Sequence, residues 1–242
     1  MSHAAVILSP HFDDAVLSCW HLLAGEQEVL VVNVFSGVPP EGTLGWWDRR
    51  AGCNDSAAAV RARIEEDRHA LALAGRPAVN LDFLDGQYRA QEQDPRSIVA
   101  ALRRVLRGAP RIYAPAGLGD RHRDHCAVCA AALELHAEGH DVRLYADLPH
   151  ATMFGWPRWV LDGGDRDDAD DQADERWRQQ LHANGLQPSR MAATVHRLSD
   201  GERARKLASV RAYASQLEPL EQGFGQSFDA PEVLGYEVTW EL

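Results

Sequence analysis

Two short clusters in this chain of 242 residues gather side chains that bind metals and move protons. The first is Ser9-Pro10-His11-Phe12-Asp13-Asp14, the second Asp120-Arg121-His122-Arg123-Asp124-His125. Imidazole nitrogens and carboxylate oxygens are ligands suited to zinc. An HxxD spacing across a strand-to-helix turn aims His11 and Asp14 at one point. Asp13 is then a second carboxylate close to that point, as the base for a metal-activated water must be. In the second cluster, one of His122 and His125 can bind metal while the other faces the reacting group. Asp124 can accept a hydrogen bond from an imidazole and fix its orientation. His11, Asp14 and His125 together make a His₂–carboxylate set with an open fourth position, the mark of a catalytic rather than a structural zinc. The bland alternatives are that Asp13 or Asp14 merely caps a helix and that the second cluster is a charged helix start. Two such clusters, each just past a strand, weigh against coincidence.

The elements that must position these residues alternate. Apolar, β-branched runs predict strands at residues 4–9, 28–35, 78–84, 111–115 and 142–146. Helical stretches predict helices at 14–24, 55–75, 95–107 and 125–138. A Gly/Pro/Trp-rich loop is expected at 36–54, a later strand at 191–198, a helix at 200–215 and a last strand at 236–240. Strand–helix alternation implies right-handed βαβ units. The expected fold is α/β: one Rossmann-like domain over residues 1–242, its sheet mostly parallel, with helices on both faces. Ligands in such sheets bind beyond the carboxyl ends of the strands, where both clusters fall.

Composition narrows the partners. With 36 acidic and 25 basic residues the net charge is −11, which disfavours nucleic acid. No run approaches the roughly 20 apolar residues of a membrane span, and the N-terminus lacks a signal-peptide pattern, so a cytoplasmic location is expected. The acidic stretch 163–175 is expected to be a solvated surface insertion. The CxxC pair Cys126 and Cys129 falls in an apolar helical run and is read as structural thiols. His150, His182 and His196 stand alone and are read as ordinary histidines. Trp46, Trp47 and Trp156 are read as packing anchors of their loops. No GxGxxG follows the first strand, which weakens a nucleotide-binding reading.

The residues resemble the LmbE-like, or PIG-L, superfamily of zinc-dependent N-acetylglucosaminyl de-N-acetylases. That family opens with (A/S)HPDD or SPHxDDAVLS, here SPHFDDAVLSC, and its second motif HxDH is here His122 to His125. Arg63, Glu66, Ala70 and Gly75 match an RxxExxxAxxxLG pattern. Lys206 and Tyr213-Ala214-Ser215-Gln216 match a late Lys-containing helix ending in YxSQ. The resemblance implies that His11, Asp14 and His125 bind Zn²⁺ and that Asp13 is the general base. It implies that His122, oriented by Asp124, stabilises the oxyanion or protonates the leaving amine. Arg63 and Asp85 would contact substrate hydroxyls or phosphate, and an N-acetylated sugar would be the substrate. A thiol–sugar amide and a catalytically silent sugar-binding protein are the alternatives. The chain departs from the family at Phe12 (Pro), Ala15 (Glu) and Asp120 (Tyr in some members), which bears on substrate rather than on hydrolysis.

Overall fold

Strands β1 (Ala5–Ser9, AVILS) and β2 (Val29–Asn33, VLVVN) are almost wholly apolar, and every residue in them is buried, as central strands covered on two faces must be. The computed structural model of the chain describes residues 3–119, 122–163 and 171–242. There β1 and β2 join β3 (Ala78–Asn80), β4 (Arg111–Pro115), β5 (Val142–Tyr145), β6 (Ala192–Arg197) and β7 (Tyr236–Glu241) in one seven-stranded sheet of order β3-β2-β1-β4-β5-β7-β6. The first five pair in parallel, while β7 runs antiparallel to both β5 and β6. The expected α/β domain is present, with an antiparallel pair closing one edge.

Helices α1 (Asp14–Ser18) and α2 (Trp20–Leu23) occupy the span read as one helix, which breaks at Cys19. A short helix, α3 (Trp46–Arg50), sits inside the stretch read as loop. Helix α4 (Ser56–Leu73) begins where the Asp55 carboxylate accepts the Ala57 and Ala58 N–H groups, and stops short of Gly75, at φ +66°. Then come α5 (Pro95–Val105), α6 (Arg123–Ala137), α7 (Arg158–Leu161), α8 (Gln172–Ala183), α9 (Asp200–Val210), α10 (Ala214–Phe224) and α11 (Pro231–Leu234).

The chain steps one way along the sheet from β1 to β3, then reverses through β4 and β5. Right-handed crossovers in opposite directions lay their helices on opposite faces. Accordingly α1, α4 and α9 pack together, with α10 on α4 and α11 on α9, while α5 packs on α6 and α6 on β4 and β5. The loops leaving β1 and β4 diverge at this reversal and open a crevice at their carboxyl ends.

Two further expectations change. Of the acidic stretch 163–175, residues 164–170 lie outside the described residues, but its end is not a solvated insertion. Asp171 caps α8 by accepting the Ala173 and Asp174 N–H groups, and buried Asp174 accepts from Trp159 Nε1 at 2.7 Å and pairs with Arg178 at 2.6 Å. The acidic composition masks an amphipathic helix whose Ala173, Trp177 and Leu181 face inward. The helix expected over 200–215 ends at Val210, because the chain turns to bury Tyr213 and restarts as α10.

Candidate metal centre

The loop after β1 is tied down by its own polar atoms. Ser9 Oγ donates to the His11 carbonyl at 2.5 Å and accepts the Ala15 N–H at 3.0 Å, and the His11 N–H donates to Asp14 Oδ2 at 2.7 Å. This folds the SPHFDD segment so that Asp14 Oδ2 lies 3.4 Å from His11 Nδ1. From the β4 side, His125 in the first turn of α6 brings Nε2 to 3.5 Å from the same oxygen. Ligand atoms of His11, Asp14 and His125 all lie within 4.8 Å of one another. The three residues brought together are those the sequence singled out.

Each imidazole is held from behind. His125 Nδ1 lies 2.7 Å from Asp147 Oδ1, and His11 Nε2 lies 3.1 Å from Asp124 Oδ2. A proton on each of those nitrogens leaves the lone pairs of His125 Nε2 and His11 Nδ1 facing Asp14. His125 Nε2 is buried and has no hydrogen-bond partner. An orphaned buried acceptor between a carboxylate and a second imidazole fits a borderline divalent ion such as zinc. A second group, His11, His122 and Asp124, also has ligand atoms within that distance. Its carboxylate is already engaged by the Gly86 N–H at 2.8 Å, by Arg89 and by His11, so the first set is the better cradle.

The charges follow the geometry. Burial opposes charge on His11 and His125. Hydrogen bonds to Asp124 and Asp14 nonetheless raise His11, and the Asp14 charge with Asp147 raises His125. Asp14 itself is held below the usual carboxylate range, since the His125 charge and the His11 hydrogen bonds outweigh its burial. Asp13 is buried beside them, and burial and the Asp14 charge push its carboxyl up to about 6. His122, at the N-cap of α6, is lowered to about 2 by burial and by the His125 charge, and its Nδ1 is buried without a partner.

The structure revises several roles. Asp124 orients His11, not His122: both of its oxygens are taken by His11, Gly86 and Arg89, and no hydrogen bond joins it to His122 among the described residues. His150 is not an ordinary isolated histidine. It lines the same cavity, with its ring centroid 4.9 Å from that of His125 and 5.4 Å from that of His122. Asp147 and His150 both follow β5, so a third strand end at the same sheet edge was the available signal. Arg63 and Asp85 line the cavity, but each is engaged by the protein. Arg63 Nη2 donates to buried Asp48 at 2.5 Å, which also accepts from Tyr88 Oη. Asp85 accepts from the N–H and the side-chain amide of Gln87.

Of the family departures, Ala15 and Phe12 are buried and Asp120 lies outside the described residues. Trp156 is an anchor as expected, its Nε1 donating to the Glu232 carbonyl at 2.7 Å, but Trp46 and Trp47 line the cavity. Cys129 is buried and Cys126 half-buried.

A His₂–carboxylate point at a sheet reversal, with a further carboxylate beside it in a cavity of about 400 Å³, defines an α/β protein with a candidate hydrolytic metal centre. The sequence carries the same signature. The chain belongs to the GlcNAc-PI de-N-acetylase (PIG-L) family, whose model matches residues 6–136 and so includes both clusters. No curated protein matches the sequence. Among solved structures, the chain is similar to a triple mutant of a deacetylase of the teicoplanin biosynthetic pathway. The two share 26% identity at a TM-score of 0.71, covering 98% of this chain and 96% of that one. The A40926 pseudoaglycone deacetylase Dbv21 shares the fold at 24% identity and a TM-score of 0.69, covering 100% and 97%. So does the N,N'-diacetylchitobiose deacetylase of Pyrococcus horikoshii, at 14% and 0.54, covering 91% and 73%. Among the described residues no helix is long and apolar enough to cross a membrane.

Proposed function

We propose that this protein is a zinc-dependent de-N-acetylase that hydrolyses the acetamido group of an N-acetylglucosamine-type sugar or sugar conjugate. The observation that carries the reading is the pair of backed imidazoles, His125 on Asp147 and His11 on Asp124, whose free nitrogens converge on Asp14. Family membership and the 26% identical deacetylase support the reaction class.

Bound at that point, zinc supplies Lewis acidity toward the acetamide carbonyl and acidifies water. The chain's own groups do the rest. Asp13, buried and lining the cavity, takes the proton of the attacking water at its carboxylate and holds it for the departing amine, which leaves badly without one. His122, neutral in its buried position, donates a hydrogen bond toward the carbonyl oxygen as charge develops there. The retained Asp13 argues against a silent sugar-binding protein.

The test measures metal content and acetate release together. Purified protein should bind about one zinc per chain, and chelation should abolish acetate release from N-acetylglucosamine conjugates. Asp13→Asn should keep the zinc and lose roughly 10²-fold or more in kcat. Turnover near wild type in Asp13→Asn with metal retained would refute the role given to Asp13, and full activity after complete chelation would refute the metal.

A further inference from the structure

The cavity holding Asp13 has a second wall unlike its first. Helices α3 and α10 supply it, through Trp46, Trp47, Leu220 and Phe224, with Met153 alongside. Trp46 is 63% exposed, more than any other large apolar side chain among the described residues. A packing anchor is buried, as Trp156 is; an indole left in water at the mouth of a cavity serves no packing purpose in the fold itself.

The indole is also held in place. Trp46 meets Trp47 edge to face with centroids 5.8 Å apart, and the Arg50 guanidinium lies 5.9 Å from the Trp47 ring centroid. On its other side Trp47 abuts Gly223 of α10, where a Cβ would stand 3.6 Å from the ring. The next residue, Asp48, is fully buried and bonded by Arg63 and Tyr88, so α3 is pinned from beneath. Such a preordered aromatic surface loses little entropy when a ligand covers it.

Charge narrows what that ligand is. Of the two arginines in the lining, Arg63 is neutralised by Asp48 and Arg50 is exposed. Outside the metal set, the other charged groups of the lining are the carboxylates Asp13 and Asp85. On the α3–α10 side a phosphate would meet a single solvated guanidinium, with the carboxylates Asp13 and Asp85 in the same lining, whereas an apolar group meets Trp46, Trp47, Leu220 and Phe224. We propose that the sugar substrate carries an uncharged, apolar substituent that stacks on Trp46 and runs against Leu220 and Phe224. The inference rests on the de-N-acetylase reading and names the class of conjugate it takes.

Acetate release is compared for N-acetylglucosamine, its phenyl β-glycoside and its 1-phosphate, with wild type, Trp46→Ala and Arg50→Ala. The phenyl glycoside should exceed the free sugar by roughly ten-fold or more in kcat/KM, mainly through KM. In Trp46→Ala that advantage should shrink below about two-fold with Tm unchanged. An advantage that survives in Trp46→Ala overturns the proposal. So does a preference for the 1-phosphate that Arg50→Ala abolishes, which would make the substituent anionic. If no compound releases acetate, the de-N-acetylase reading falls by itself, and calorimetry with the phenyl glycoside decides the inference. Binding that is lost in Trp46→Ala supports the apolar seat; equal binding, or none to the wild type, overturns it.

Discussion

Asp147 offers the sharpest test of how the candidate centre is built. Its Oδ1 lies 2.7 Å from His125 Nδ1 and its Oδ2 accepts the Leu118 N–H at 2.9 Å, all fully buried. Both partners are donors, so only a carboxylate satisfies them together. In Asp147→Asn one partner must face an amide NH₂. If that partner is His125, its Nδ1 turns acceptor, the proton moves to Nε2, and the nitrogen aimed at Asp14 loses its lone pair. If it is Leu118, two donors meet in the interior at a cost of about 1–3 kcal/mol. Groups that orient a metal-binding imidazole are worth about 10- to 100-fold in affinity. Zinc affinity measured by competition with a chromophoric chelator at neutral pH should therefore fall about 10- to 100-fold in Asp147→Asn. Asp13→Asn should change it less than about three-fold, since Asp13 is not a ligand in this reading. Asp147→Asn that folds with wild-type Tm and binds zinc as tightly as wild type would refute the orienting role.

Asp67 is buried between Asn33 and Tyr213, and burial pushes its carboxyl up to about 7. A raised folded value means the stability it contributes is present below its unfolded value near 4 and is lost as pH rises through about 7, by at most about 1.4 kcal/mol per pH unit. Urea denaturation of Asp67→Asn should show a flatter decline between those pH values, and an unchanged slope would count against this protonation state. Lys206 Nζ lies 2.6 Å from Glu237 Oε1 with both side chains fully buried, so Lys206→Met should destabilise by about 3 kcal/mol or more, the usual result of stranding one buried charge. A loss under about 1 kcal/mol in the same assay would show that Glu237 needs only its other donors, Trp20 and His21.

The central sheet was legible because its parallel strands are continuous apolar runs, and the candidate metal set because His11, Asp14 and His125 sit just past two of those strands. Asp124 does accept a hydrogen bond from an imidazole, but the pairing with His122 that the resemblance implied fails for a geometric reason. His122 caps α6 and Asp124 lies in its first turn, and residues one or two apart on a helix do not face each other. Asp124 therefore turns away from its neighbours toward Gly86, Arg89 and His11, contacts that span 38, 35 and 113 positions of the chain. His125 finds its partner 22 residues on, after β5, for the same reason. Contacts at such separations leave no local pattern.

The supporting matches to the family acquire a physical meaning that spacing alone did not carry. The RIEED segment of α4 and the YASQ start of α10 are two halves of one fastening. The Glu66 carboxylate accepts the Ser215 N–H at 2.8 Å and its hydroxyl at 2.7 Å. Tyr213 Oη lies 2.8 Å from Asp67 Oδ1 and 3.0 Å from the Phe12 carbonyl. One hydroxyl hydrogen cannot serve two acceptors at once. A protonated Asp67 resolves this, donating to Tyr213 Oη while Tyr213 donates to Phe12, and its raised carboxyl is what that arrangement requires. The chain thus ties α4 and the start of α10 to the backbone immediately ahead of Asp13, the proposed base. On this account these motif residues act by fixing the loop rather than by touching substrate: their loss should move the position of Asp13 before it changes the ligands at the metal point.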